Sequence, residues 1–240
     1  MLSRTARALF TRLLTPVARA LLAAGVSPDV VTVVGTLGVC AGALGFYPRG
    51  EFFWGTLVIT GFVFSDTVDG IMARMSQRSS KWGAFLDSTL DRIGDAAVFG
   101  GLVLYFARNE HSGDEMRAAL ALTCLVLGGV VSYARARAEG LGMTANVGIA
   151  ERADRLVAVL LATGLVGLNT FGLPVPQVLL TVVLALLALA SLVTVVQRML
   201  TVRSQALTTV DRSAGDTVSA DATAAEPGTG DRTRRGGPDA

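Results

Sequence analysis

Histidine is almost absent from this 240-residue chain: His111 is the only one. Cysteine is nearly as scarce, with Cys40 and Cys124 both set in apolar stretches, and lysine occurs once, at Lys81. These shortages remove whole classes of chemistry. Ser-His-Asp and Cys-His catalysis lack their base, and His-ligated metal sites lack their ligand. A disulfide framework or a zinc site lacks its thiols. Any catalysis must rest on carboxylates, arginines and hard cations.

Apolar residues are abundant. They make up 51% of the chain, and the mean hydropathy is +0.54, too high for an ordinary soluble domain of this size. Apolar runs near the roughly 20 residues that cross a bilayer recur along the sequence. The expected fold is therefore all-α, a polytopic membrane protein with spans at about 28–47, 52–74, 83–107, 117–138, 153–170 and 175–199. Ser27-Pro28-Asp29 starts the first span as N-cap, first-turn proline and early acid. The N-terminus is not read as a cleaved signal peptide, because Arg4, Arg7, Arg12 and Arg19 interrupt its apolar residues.

Residues 1–26 form a separate interfacial segment. At 100° per residue those four arginines fall within an arc of about 140°, with Leu2, Leu9, Phe10, Leu13, Val17 and Leu21 opposite. Such a helix lies in the membrane surface or packs on the protein itself. Residues 27–202 form the membrane domain. Residues 203–240, rich in Thr, Asp, Ala, Gly and Arg, read as a disordered cytoplasmic tail.

Cations concentrate in alternate loops. The N-terminus, the segment Arg74–Lys81, the segment Arg135–Arg155 and the exit at Arg198 and Arg203 are basic. The positive-inside rule then places both termini in the cytoplasm, which requires an even number of spans.

The chemistry-bearing pattern lies where the second and third spans meet. Asp66 and Asp69 stand three residues apart, and Asp87 and Asp91 four apart, so each pair shares a helix face. A short polar loop makes the two helices antiparallel neighbours. Four carboxylates can thus face one gap. Each acid at membrane depth costs about 2.5–3.5 kcal/mol on insertion scales, and like charges repel. Two divalent cations match the charge, and oxygen-only ligands favour Mg2+, Mn2+ or Ca2+ over zinc. Paired metals suit phosphoryl displacement. Gly70, Ala73 and Gly83 remove bulk beside the acids. The plainer alternative is a salt-bridge network with Arg74, Arg78, Lys81 and Arg92.

Asp66-x-x-Asp69-Gly70-x-x-Ala73-Arg74, followed after eight residues by Gly83-x-x-x-Asp87-x-x-x-Asp91, resembles the complete signature of the CDP-alcohol phosphatidyltransferases. The resemblance implies that Asp66, Asp69 and Asp87 are metal ligands. It makes Asp91 a ligand and the general base, with two Mg2+ ions per site and Mn2+ able to replace them. It also implies that Gly70, Arg74, Ser80 and the stretch Asp29-Val30-Val31-Thr32 contact the CDP-lipid. Family members often carry Asn near Asp29, where this chain has Ser27-Pro28-Asp29. A homodimer is implied as well.

Arg135, Arg152, Arg155 and Arg198 gather at the cytoplasmic ends of the later spans. Arginine suits bidentate phosphate binding, so an acceptor carrying its own phosphate is expected; plain positive-inside topology would also explain them. Tyr133-Ala134-Arg135-Ala136-Arg137-Ala138-Glu139 with Glu151-Arg152…Arg155 is most similar to the actinobacterial phosphatidylinositol phosphate synthases. That similarity implies transfer from CDP-diacylglycerol to inositol phosphate (1D-myo-inositol 3-phosphate) at the inner face of the plasma membrane. Glycerol 3-phosphate is the alternative acceptor. A divalent-cation channel or carrier would place acids along a mid-membrane path, and a prenyl-chain transferase would lack the Gly70-x-x-Ala73-Arg74 continuation. Asp95, one turn beyond Asp91, reads as a supporting carboxylate paired with an arginine.

Overall fold

The structure is a computed structural model that describes residues 4–76, 80–108 and 113–224, with side chains described for 12–65, 67–76, 80–108 and 113–208. Arg78 and His111, and the side chains of Arg4, Arg7 and Asp66, lie outside the described residues. The described chain folds into eight α-helices: α1 Arg4–Ala23, α2 Pro28–Phe46, α3 Phe52–Val63, α4 Ser65–Met75, α5 Lys81–Arg108, α6 Asp114–Gly140, α7 Arg152–Gly167 and α8 Val178–Ala224. Short 3-10 turns at Tyr47–Arg49 and Leu168–Phe171 extend α2 and α7.

Local chemistry sets the boundaries. Gly25 ends α1 in the left-handed region at φ 78°. There the Val26 N–H reaches back to the Leu21 carbonyl, which satisfies one of the helix's last acceptors. Ser27 then caps α2, its hydroxyl oxygen accepting from the Val30 N–H at 3.4 Å, with Pro28 in the first turn.

Neighbouring helices follow the order α2, α5, α6, α8, α7, α3 and back to α2, a closed ring. Glycine sets how closely the ring closes. A Cβ on Gly35 would lie 1.7 Å from Ser65 Oγ, and one on Gly38 would lie 2.3 Å from the Phe62 ring. These glycines face α3 and the start of α4, so backbones approach as small-residue stripes allow. Tyr47, Phe99, Phe106, Ile59, Leu102 and Leu184 fill the interior. Leu37, Leu57, Leu161, Leu186 and Leu189 stay exposed on the outside. In water such a surface would aggregate, whereas in lipid it is the matching solvent.

Among the described residues, five stretches have the length and composition to cross a membrane: Pro28–Arg49, Phe52–Met75, Asp114–Gly140, Arg152–Phe171 and Val178–Thr208. Helix α5, 28 residues long, has the length as well, about 42 Å. It carries Asp87, Asp91, Arg92 and Asp95 along its first half.

Two sequence expectations change. The second span is two helices broken at Phe64, where the Ser65 hydroxyl donates to the Phe62 carbonyl at 2.6 Å and competes with the backbone ladder. Helix α8 does not stop near residue 199 but continues through Ala224. The segment 203–224, expected to be unstructured, is helical, and 225–240 lie outside the described residues. Of the two placements the sequence left open for α1, the structure shows it packed on α4. Ala18 is fully buried against Val68, Ile71 and Met72 of α4, while Arg12, Leu13 and Arg19 stay exposed.

Candidate active site

Helices α2, α4 and α5 enclose a cavity of about 240 Å³. Asp29 and Thr32 border it from α2, Asp69, Gly70 and Ala73 from α4, and Ser80, Gly83 and Asp87 from the start of α5. Asp69 is only 7% exposed. Its Oδ2 accepts a hydrogen bond from Thr32 Oγ1 at 2.5 Å, and the same hydroxyl lies 3.1 Å from the Pro28 carbonyl. One hydroxyl proton thus serves two acceptors and fixes the rotamer of a buried acid. Ser80 caps α5, its Oγ accepting from the Gly83 N–H at 2.9 Å. A side chain on Gly83 would lie 3.6 Å from Asp29 Oδ1, so the glycine keeps this corner open.

Asp29 and Thr32 border the cavity, but Val30 and Val31 do not. Residues three apart share a helix face and the two between them turn away. Val30 is half-exposed, and Val31 packs toward the cluster between α1 and α4. The Arg74 guanidinium covers Gly70, at 3.5 Å from where a Cβ would stand. The backbone of Asp66 opens α4; its side chain lies outside the described residues.

Asp91 faces a second cavity, again of about 240 Å³. Arg92, Arg135, Arg152, Arg155 and Arg198 border it, against the carboxylates Asp91 and Glu151. The four arginines singled out in the sequence therefore meet at one place. Each is held differently. Arg135 pairs with Glu139 at 2.9 Å on the exposed side of α6. Arg198, 4% exposed, donates from Nε to the Val147 carbonyl at 2.9 Å and from NH1 to the Val131 carbonyl at 2.5 Å. Arg152 reaches Asp91 Oδ1 at 2.9 Å and Asp95 Oδ1 at 3.1 Å. Arg155, 1% exposed, lies 3.5 Å from Asp95 Oδ2 and donates to the Ala150 carbonyl at 3.3 Å.

Two features escaped the sequence reading. Asp95 joins both α7 arginines to α5, where the sequence suggested one partner. Gly128 makes the room: a Cβ there would lie 3.1 Å from Arg155 NH2. The signal was the pair Gly128-Gly129 in mid-span, which sequence alone reads only as a close approach to an unknown neighbour.

The arrangement has known relatives. The model of the family described as CDP-alcohol phosphatidyltransferase matches residues 25–210. A phosphatidylinositol phosphate synthase of Streptomyces avermitilis is 57% identical over 207 residues, covering 85% of this chain and 84% of that protein. One of Cutibacterium acnes is 48% identical over 200 residues, covering 82% and 95%. Among solved structures, the Mycobacterium tuberculosis phosphatidylinositol phosphate synthase with CDP-DAG bound is similar with a TM-score of 0.74 and 44% identity, over 80% of this chain and 94% of that one. The same enzyme in complex with manganese and citrate gives a TM-score of 0.74 and 43% identity, over 79% and 88%. With the family model spanning both cavities and all five of these membrane-crossing stretches, the chain belongs to the CDP-alcohol phosphatidyltransferases and is a membrane-embedded transferase.

Proposed function

We propose that the protein transfers the phosphatidyl group of CDP-diacylglycerol to 1D-myo-inositol 3-phosphate, giving phosphatidylinositol phosphate and CMP. The observation that carries this reading is the pairing of two cavities across α5. One is bordered by Asp69, Asp87, small residues and hydroxyls, the other by Asp91 and five arginines. The excess of arginine over carboxylate in the second cavity favours an acceptor with its own anionic group. The names of the actinobacterial relatives supply the inositol phosphate.

The donor set fits a hard divalent cation. Asp69 and Asp87 with the hydroxyls of Thr32 and Ser80 offer only oxygen to the first cavity. Among the described residues no three His, Cys, Asp or Glu side chains form a cluster by themselves. Asp66, with its side chain outside the described residues, supplies the missing ligand in this reading. Asp66, Asp69, Asp87 and Asp91 would hold two Mg2+ ions, with Mn2+ able to replace them. Bound cations would offset the charge of the pyrophosphate and polarise the phosphorus under attack.

The chain's own residues do the rest. Gly70, Ala73 and Gly83 admit the nucleotide, Arg74 and Ser80 bind it, and Asp29 and Thr32 line its far side. Arg135, Arg152, Arg155 and Arg198 orient the acceptor through its phosphate. Asp91 takes the proton of the attacking hydroxyl. Catalysis is mainly positioning and charge neutralisation. The diacyl tails remain in lipid, and the site faces the cytoplasm of a plasma-membrane protein with six spans, assembled as a homodimer.

The test is a panel of acceptors with the purified protein, CDP-diacylglycerol and Mg2+, following CMP and the lipid product. Inositol phosphate is the expected acceptor. Preference for glycerol 3-phosphate would make the protein a phosphatidylglycerophosphate synthase, and preference for free inositol would remove the role given to the arginines. Mg2+-dependent thermal stabilisation, lost in Asp69→Asn, checks the metal assignment without reference to activity.

A further inference from the structure

We propose that Arg152 is a positioning residue that withholds Asp91 from water until the phosphate of an acceptor draws it away. This rests on the reading above of Asp91 as base and of a phosphorylated acceptor. Asp91 and Asp95 lie one turn apart on α5, and a single guanidinium from α7 spans both. Arg152 NH1 is 2.9 Å from Asp91 Oδ1, and Nε is 3.1 Å from Asp95 Oδ1. Asp95 in turn meets Arg155 through its other oxygen. Exposure separates the two arginines. The Arg155 side chain is 2% exposed and that of Arg152 is 25% exposed. Of the two α7 arginines, Arg152 is thus the more open to an anion entering the second cavity.

A phosphate monoester carries close to two negative charges and three acceptor oxygens, and it competes with a single carboxylate for a guanidinium fork. Asp95 on Nε gives Arg152 a pivot. The NH1 edge can swing to phosphate while Nε stays anchored, and Asp91 Oδ1 is then given up to the hydroxyl of the acceptor. Arg92 NH1, 3.6 Å from Asp91 Oδ2 on a 41% exposed side chain, is a weaker constraint.

The arrangement addresses a wasteful reaction. Water can attack the phosphorus nearer the diacylglycerol. The bond from that phosphorus to the bridging oxygen breaks, CMP leaves with the electron pair, and the proton of water passes to Asp91. The products are phosphatidic acid and CMP. A base engaged by Arg152 whenever no acceptor is present suppresses this hydrolysis.

Methyl phosphate tests the idea, because it carries the phosphate and offers no hydroxyl for transfer. The full chain, purified into nanodiscs, is given CDP-diacylglycerol and Mg2+ without acceptor, and CMP and phosphatidic acid are measured. Methyl phosphate should accelerate hydrolysis by the wild type about tenfold, equivalent to about 1.4 kcal/mol. Arg152→Gln should hydrolyse at the raised rate without methyl phosphate and ignore its addition. Wild-type hydrolysis indifferent to methyl phosphate overturns the proposal, whatever the variant does. Asp91→Asn that still transfers to inositol phosphate overturns the base assignment beneath it instead, and a wild type that prefers unphosphorylated acceptors overturns the acceptor reading.

Discussion

Replacing Thr32 with valine removes one hydroxyl and almost no volume, which makes it a clean probe of the Asp69 site. Both residues are buried, at 6% and 7% exposure. The Thr32 hydroxyl donates to Asp69 Oδ2 at 2.5 Å. A hydrogen bond to a charged group contributes about 1.5–3 kcal/mol. Removing a group that orients a ligating carboxylate costs about 10- to 100-fold in metal affinity, and the two ranges agree at about 1.4 kcal/mol per tenfold. The Mg2+ midpoint of Thr32→Val should therefore rise about tenfold or more. Thr32→Ser, which keeps the donor, should titrate close to wild type. The assay is Mg2+ titration of CMP release, repeated as Mg2+-dependent thermal stabilisation so that binding and turnover are read separately. A valine variant with the wild-type midpoint in both measurements would refute the claim that Thr32 orients Asp69 for metal.

Asp91→Asn keeps shape and hydrogen-bonding reach but cannot take a proton; transfer should fall by about 10²- to 10⁴-fold, the usual contribution of a general base, while the purified protein still inserts and elutes as wild type. Gly128→Ala places a Cβ 3.1 Å from Arg155 NH2 and 3.3 Å from its Nε and Cζ. The guanidinium must shift by a few tenths of an ångström, so the KM for the phosphorylated acceptor should rise severalfold with the KM for the CDP-lipid unchanged. Gly167→Ala meets the backbone of Phe53 at 2.3 Å. Backbone cannot swing aside, so helices α7 and α3 must separate and thermal denaturation should show a loss of about 1–3 kcal/mol; an unchanged midpoint would refute the claim that Gly167 sets this close approach.

Much of the fold was legible because its signals are local. Helix α2 starts at Ser27-Pro28-Asp29 as the capping pattern requires, and helices α5 and α6 fall within a few residues of their expected limits. The break at Phe64 was not legible. It depends on Ser65 bonding to the Phe62 carbonyl beneath a glycine of α2, a tertiary circumstance inside a continuously apolar stretch. The end of α8 was misread for the opposite reason. Residues 203–224 lack apolar periodicity, yet a helix already nucleated in the membrane extends at little cost. In the site, helix period put Asp69 and Asp87 at one cavity but also assigned Asp91 there, whereas Asp91 borders the second cavity, where charge clustering found Arg135, Arg152, Arg155 and Arg198. The link through Asp95 needed coordinates, because nothing in the spacing of α5 says which arginine of α7 lies opposite.

The two cavities are related by a single helix, and this sets how the substrates can meet. Asp87 borders the first and Asp91 the second, and they stand one turn apart on α5. Side chains four residues apart have Cβ atoms about 6 Å from each other. In the proposed reading, a pyrophosphate held beside Asp87 and a hydroxyl held beside Asp91 are thereby brought near each other without a moving domain. Binding in each cavity then fixes one reactant, and the rigidity of α5 fixes the relation between them. That relation is held from both sides. Gly101 of α5 packs against the Ala43 carbonyl of α2, and Asp95 ties α5 to α7 through two arginines. Buried guanidinium is costly in a membrane domain. In the proposed reading, Arg155, with a glycine opposite it and a carboxylate shared with Arg152, gives up the stability an apolar residue would bring in exchange for a fixed position of the acceptor relative to α5.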